Sequence, residues 1–230
     1  MSTPIQRQVV SFVAYKLDPA FRRLDDKQAA LEEFASVAET PIDGLILNTY
    51  STVGLKLDTD LMFWRIGKTG TDPVQQHAAA LNKTTLAGYL HQTHSFLSMT
   101  KRSQYIDKVD PFHTEESRVN LIPGKRRYIF VYPFVKTREW YLASKEDRQA
   151  VMDEHIKVGN KYPSVKLNTT YSFGLDDQDF VVAFESDEPK DFLDLVQELR
   201  ETQGSLYTVR DTPIITGVRM PVAEVLSQLA

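Results

Sequence analysis

The sequence predicts an α+β fold assembled from two similar halves, each an antiparallel sheet with helices on one face. Three observations predict it. Segments with two-residue alternation and segments with helical spacing follow one another along the 230 residues. The order strand, helix, strand, strand, helix, strand occurs in the first half and again in the second. Residues 48–63, NTYSTVGLKLDTDLMF, also resemble residues 168–181, NTTYSFGLDDQDFV. A βαβ-rich unit repeated in this way reads as duplicated ferredoxin-like modules of the dimeric α/β barrel type, here residues 1–110 and 111–230.

Each element has a local reason. Residues 7–17, RQVVSFVAYKL, alternate and are rich in Val, Phe and Tyr, which suits a strand. Asp26 can cap a helix over 27–39, whose apolar stripe is Ala30, Leu31, Phe34, Val37 and Ala38. Strands follow at 44–52 and 60–67, separated by a turn built on Gly54 and Asp58. Asp72 as cap with Pro73 as the first helical residue starts a helix that should run to about Gly88. Residues 92–100 read as a further strand. The stretch 101–124 is polar, has little periodicity and is long for a connector; such loops are functional or disordered. The second half supplies a strand at 126–135, a helix at 145–160, strands at 165–173 and 178–185, and a helix from Glu188-Pro189. A last strand, TPIITGV, and a short helix end the chain.

Composition excludes several functions. The net charge of −4 argues against a nucleic-acid partner, which needs a basic face. The absence of cysteine excludes disulfides, iron–sulfur clusters, thiolate zinc sites and a cysteine nucleophile. The N-terminus lacks a basic segment followed by an apolar run, and no apolar run is long enough to span a membrane. The expectation is a cytoplasmic soluble protein. No P-loop, GxGxxG or GxSxG pattern is present. His91 and His94 are three apart but lack a third ligand, and His77 is expected at the surface of its helix.

The chemistry gathers in residues 128–178. Tyr128, Phe130, Tyr132 and Phe134 lie on one face of the strand, and Ile129, Val131 and Val135 on the other, so both faces should be buried. Spacing alone makes the aromatic row core; the other reading is the lining of a flat apolar cavity. Ser144 and Asp147 form a capping box for the next helix. Val151, Met152, His155, Val158 and Tyr162 then share its apolar face, which should look inward. An inward neutral imidazole is either a hydrogen-bonded core residue or a metal ligand. Lys136, Arg138 and Trp140 follow the aromatic strand, and Arg118 precedes it. Cations around an apolar aromatic surface suit a flat ligand with carboxylate edges, and with the histidine they suggest a porphyrin.

The segments YPFVKTREWY, MDEHIKVG, NTTYSFGLDDQDFVVAFE and TPIITGVRM resemble the chlorite dismutase superfamily, most of all its coproheme decarboxylases of actinobacterial and archaeal type. The likeness is strongest over 118–220. It implies haem in the C-terminal module, a homopentamer, and Fe-coproporphyrin III (coproheme) converted to haem b with hydrogen peroxide as oxidant. By position it implies His155 as the proximal iron ligand and Tyr132 as the tyrosine that becomes a radical. It implies His113 as the distal base towards peroxide, and Arg118, Lys136 and Trp140 as propionate contacts. A histidine of ordinary pKa, about 6.5, suits that base role.

Two departures matter. Chlorite-degrading members carry an arginine, and many decarboxylases a glutamine, seven residues before the glycine of the GLDD turn; here the residue is Leu167. A leucine offers no charge to hold chlorite. The acidic partner of the proximal histidine is replaced by Gln203, which would weaken the electronic push on the iron. The leading expectation is therefore a coproheme decarboxylase. The alternatives are a haem b chlorite dismutase, a non-catalytic haem carrier, and a duplicated ferredoxin-like protein that binds no porphyrin.

Overall fold

Strong alternation near the start of the chain produces β1 (Val9–Leu17), a central strand paired on both edges and therefore almost entirely buried. The computed structural model describes residues 6–105 and 120–229. It continues with α1 (Lys27–Glu39), β2 (Leu45–Ser51), β3 (Leu61–Gly67), α2 (Asp72–Leu81) and β4 (Leu90–Met99). Asp26 accepts the Ala29 N–H as the helix cap. All pairings are antiparallel and give the order β4-β1-β3-β2.

The second module repeats the pattern. It contains β5 (Tyr128–Lys136), α3 (Arg138–Leu142), α4 (Lys145–Gly159), β6 (Lys166–Tyr171), β7 (Phe180–Ser186), α5 (Pro189–Arg200) and β8 (Thr208–Arg210). The order β6-β7-β5-β8, again antiparallel, is that of the first module. The architecture is the α+β duplicated ferredoxin-like fold.

The repeat extends to single hydrogen bonds. Gly54 and Gly174 occupy equivalent turns at φ 73° and 72°, where a side chain would strain the backbone. Asp60 donates its backbone N–H to Tyr15 O and accepts the Leu17 N–H. In the same way Asp179 donates to Phe134 O and accepts the Lys136 N–H.

The structure departs from the sequence reading in four places. The helix from residue 72 stops at Leu81, because the Thr84 hydroxyl and N–H both bond the Leu81 carbonyl and end the ladder. Asp72 is its first helical residue, not its cap, and stands in the first turn where a negative charge is favourable. The charged turn after β5 contains the one-and-a-half-turn helix α3, capped by Thr137 accepting the Trp140 N–H. The last segment, β9 (Ile215–Arg219) and α6 (Val222–Ser227), does not stay with residues 111–214. The compact units are Met1–Met99 with Ile215–Ala230, and Thr100–Ile214. β9 pairs with β2, and Val222, Val225 and Leu226 enter the core around Phe34 and Phe63.

His77 is the fourth departure. It is only 1% exposed, because α2 turns it onto β3. Arg65 Nε donates to its Nδ1 at 2.9 Å, and its Nε2 donates to Ala38 O at 3.1 Å. Burial first, then the Arg65 charge, hold its pKa down to about 4, against the pull of the Ala38 carbonyl. The unfolded chain takes a proton near pH 6.5 and the native chain does not, so stability falls as pH drops from 6.5 to about 4. A shift of that size corresponds to about 3 kcal/mol. In His77→Gln, which keeps a donor and an acceptor, the urea midpoint should lose much of its dependence on pH in that window. An unchanged pH profile would show that His77 does not carry the linkage.

Candidate functional site

The functional candidates within the described residues lie in the second module. Strand register decides which residues share a face. Tyr132, Val182 and Thr169 form one row, and Phe130, Phe184 and Leu167 the next. α5 covers part of this face: the Phe192 ring stacks on Phe130 at 4.0 Å, and Leu195 joins the same cluster. Val158 and Tyr162, at and beyond the end of α4, pack against it too. Residues 129–133 are buried throughout, so the expectation of a strand covered on both faces holds there.

Towards β6 the face opens. Leu167 is 50% exposed and Thr169 is also exposed, while Tyr132 is only 8% exposed. No hydrogen bond reaches the Tyr132 hydroxyl among the described residues. Burial, and then Asp211, raise its pKa, with Arg200 opposing. It therefore stays protonated, with no base bonded to it among the described residues.

α4 begins as expected, with Ser144 accepting the Asp147 N–H and donating to its carboxylate. Its apolar face is less buried than its periodicity suggests. No residue of α4 is fully buried; Val151, Met152, His155 and Val158 are all half-buried. Asp153, Glu154 and Lys157 flank the stripe, so the apolar edge of the helix is narrow.

His155 makes no hydrogen bond among the described residues. Its Nδ1 lies 3.8 Å from where a Cβ on Gly204 would stand, so the absence of a side chain there leaves room beside the ring. Packing around the ring, then the Lys136 charge, hold its pKa down to about 4; Glu154 opposes them. At neutral pH the imidazole is uncharged and a lone pair is available to a metal.

Lys136 stands beside it. Its Nζ lies 4.3 Å from the centre of the Trp140 ring and 5.4 Å from that of Phe134, and donates to Gly204 O at 3.4 Å. Desolvation pulls its pKa down to about 8 despite Asp179. The ammonium is held by ring faces and one carbonyl, without a direct carboxylate contact among the described residues, an arrangement that suits an incoming anion. Trp140 is 2% exposed, fixed by α3, with the Tyr207 ring at 5.3 Å and the Tyr105 ring at 6.3 Å.

The structure thus brings His155, Lys136 and Trp140 together around Gly204; Tyr132 and Leu167 share a sheet face whose Tyr132 cluster is packed by Val158, one turn along α4 from His155. Gln203 lies at the start of the turn after α5. It is exposed, and its backbone N–H bonds Glu154 Oε2 at 2.9 Å; its side chain does not reach the imidazole. The turn at Gln203–Tyr207 presents the Gly204 backbone to His155 instead. His113 and Arg118 lie outside the described residues. On either side of them, Tyr105 O accepts from Gln149 on α4, and the Gly124 N–H bonds the buried Glu185 carboxylate.

Sequence reasoning missed Gly204 and the pair formed by Tyr141 and Asp179, whose hydroxyl and carboxylate are 2.7 Å apart. A glycine in a turn has no period to betray it. The Asp179 contact was readable only as the counterpart of Asp60. No cluster of three or more metal-binding side chains exists among the described residues. His91 and His94 are each engaged by one carboxylate, Asp18 and Asp58. No helix among the described residues is long and apolar enough to cross a membrane.

Comparison with known proteins bears on the family and the fold. Residues 27–220 match the family model described as chlorite dismutase. The coproheme decarboxylase of Mycolicibacterium smegmatis is 28% identical over 208 residues, spanning 89% of this chain and 87% of that protein. The chlorite dismutase of Candidatus Nitrospira defluvii in complex with imidazole superposes with a TM-score of 0.86 at 27% identity, covering 98% of this chain and 96% of that one. A cyanide complex of a variant of the same enzyme gives 0.86 at 26% identity, with 98% and 95% covered. The matched span takes in both modules and every candidate residue, and the chain belongs to the chlorite dismutase family.

Proposed function

We propose that the protein is a coproheme decarboxylase, converting Fe-coproporphyrin III to haem b with hydrogen peroxide. The observation that carries the reading is the sheet face beside His155. A buried tyrosine stands there in rows of Phe, Val, Thr and Leu that hold no cation among the described residues. Such a face suits an oxidisable phenol next to a flat substrate and offers little to a small anion such as chlorite. The decarboxylase from Mycolicibacterium smegmatis supports the reading by its similarity.

The available donors fit a ferric porphyrin. His155 would bind the iron through its neutral, unbonded imidazole, and Gly204 leaves space beside it. Lys136, with Arg118, would hold carboxylate edges, and Trp140 would fix the Lys136 position. When bound, the iron and peroxide together supply a two-electron oxidant. His113 would take the proton that peroxide must lose on binding. Tyr132 would give up an electron and a proton and recover them from a propionate side chain. The carboxylate of that propionate leaves as carbon dioxide, a second electron passes to the oxidant, and a vinyl group remains. Each round consumes one peroxide and one proton and yields two waters, and two rounds give haem b.

The test is ferric coproheme added to apo-protein, titrated with peroxide and followed by mass. Stepwise loss of two carboxyl groups supports the reading; tight binding without mass loss overturns it. Lys136→Met should weaken coproheme binding by about tenfold, the worth of one charge-assisted contact, while a porphyrin lacking carboxylates should bind equally to both proteins. Equal loss for both porphyrins would remove the carboxylate role. Chlorite dismutation is the second reading, favoured by the structural likeness to the Nitrospira enzyme. Dioxygen release from chlorite by the haem b form would support it.

A further inference from the structure

The duplicated fold isolates one contact that structural need does not explain. Asp60 and Asp179 occupy equivalent positions, and each accepts a backbone N–H from the first strand of its module, at 3.0 and 2.9 Å. That shared bond is architectural. The remaining partner differs. In the first module it is the Lys16 ammonium, 2.8 Å from the Asp60 carboxylate. In the second it is a phenol: the Tyr141 hydroxyl donates to Asp179 Oδ2 at 2.7 Å. The carboxylate would be satisfied by a lysine here too, as its counterpart is. The fold therefore does not require a tyrosine at this place.

A phenol hydrogen-bonded to a carboxylate is the arrangement that makes tyrosine easiest to oxidise, because the proton has somewhere to go as the electron leaves. Tyr132 lacks such an acceptor among the described residues. Tyr141 also has a route to the candidate site. It follows Trp140 on α3, and its ring meets Phe173 at 5.7 Å, Phe173 meets Phe180 at 5.1 Å, and Phe180 meets Phe134 at 6.5 Å. Phe134 lies two residues from Tyr132 on the same strand face. Trp140 is a poorer electron donor, since the Lys136 charge sits over its ring.

We infer that the Tyr141–Asp179 pair is a second redox-active site, which takes up an oxidising equivalent when no substrate carboxylate is placed to receive the Tyr132 proton. In the step, the Tyr141 O–H bond breaks and its proton passes to Asp179 Oδ2. One electron leaves the ring for the peroxide-derived oxidant of the proposed reaction, which is reduced by one. A neutral tyrosyl and a neutral carboxylic acid remain. The Lys136 N–H keeps its bond to the acid, so the strand end is undisturbed. Return of one electron reverses both transfers. The functional sense given to the pair rests on the proposed peroxide chemistry; its redox property does not.

The experiment begins with apo-protein and no porphyrin. A ruthenium tris-bipyridine flash-quench oxidant generates tyrosyl radicals, which are counted by EPR and located by a nitroso spin trap and peptide mass. Trap adducts should concentrate at Tyr141 and vanish from that peptide in Tyr141→Phe. Asp179→Asn keeps an acceptor for both donors but is no base, and should slow Tyr141 oxidation by about a hundredfold, the usual worth of a positioned base. Adducts spread over other tyrosines, or an Asp179→Asn rate equal to wild type, would overturn the inference. A purely structural hydrogen bond would leave both readouts unmoved. The second arm loads Tyr132→Phe with ferric coproheme and adds peroxide. A tyrosyl signal that persists there and is lost in Tyr132→Phe/Tyr141→Phe supports the pair as a sink. A signal unchanged by the second substitution overturns that role. Because the first arm uses no porphyrin, its outcome stands even if decarboxylation fails.

Discussion

Tyr132→Phe is expected to bind coproheme within a few-fold of wild type and to lose decarboxylation by about a thousandfold or more, the pattern of a group that acts in the step and not in binding. The structure makes this an unusually clean substitution. Tyr132 is buried in the cluster of Phe130, Phe184 and Phe192, where its ring does the packing. The hydroxyl has no hydrogen-bond partner among the described residues. Removing it leaves no donor or acceptor stranded, so stability should stay level or rise. A loss of turnover could then not be assigned to unfolding. The measurement is single-turnover product mass at saturating coproheme, with thermal unfolding of both proteins alongside. Full turnover in Tyr132→Phe would remove this residue from the chemistry.

His155→Ala should weaken ferric porphyrin binding by more than about a hundredfold, since losing a metal ligand costs more than losing one of its outer partners. Added imidazole should restore the iron spectrum by filling the space. The substitution should be mild for folding, because His155 makes no hydrogen bond among the described residues and is only half-buried. Its pKa also sets a pH window. An imidazole must be neutral to bind iron, and proton competition begins only below its folded pKa. That value is held down to about 4 by packing and by Lys136. This ligand's contribution to affinity should stay level from about pH 8 to about 5 and fall only as pH drops through about 4. An ordinary histidine would begin losing affinity near about 6.5. Wild-type binding that fell through that ordinary value, or His155→Ala binding as tightly as wild type, would sink the assignment. Gly204→Ala is a milder probe of the same place, since its new methyl would stand 3.8 Å from Nδ1.

Much of this was legible in the residues. Asp26 and Ser144 announced their helices, because a cap acts within four residues and needs nothing from the rest of the chain. The aromatic strand at 128–136 was readable for the same local reason. Failures came where a distant or very short contact decided. α3 is five residues long, below any periodic window, yet it seats Trp140. His77 looked like a surface residue of α2 until Arg65, twelve positions away, supplied its partner. Gly204 gave no signal, because nothing in the residues around it shows that it approaches the imidazole.

By itself the sequence determined the α+β class, the duplication and the residue types gathered in the second half. Periodicity, capping and self-similarity are local signals, and they survive without knowledge of what lies across a sheet. Only the tertiary structure decided that His155 is neutral, and that among the described residues Lys136 is held by rings without a direct carboxylate contact and Tyr132 has no base while Tyr141 has one. Each of those is a matter of desolvation and of partners brought from elsewhere in the chain. A one-dimensional pattern carries the types of such groups, and the fold sets the distances between them.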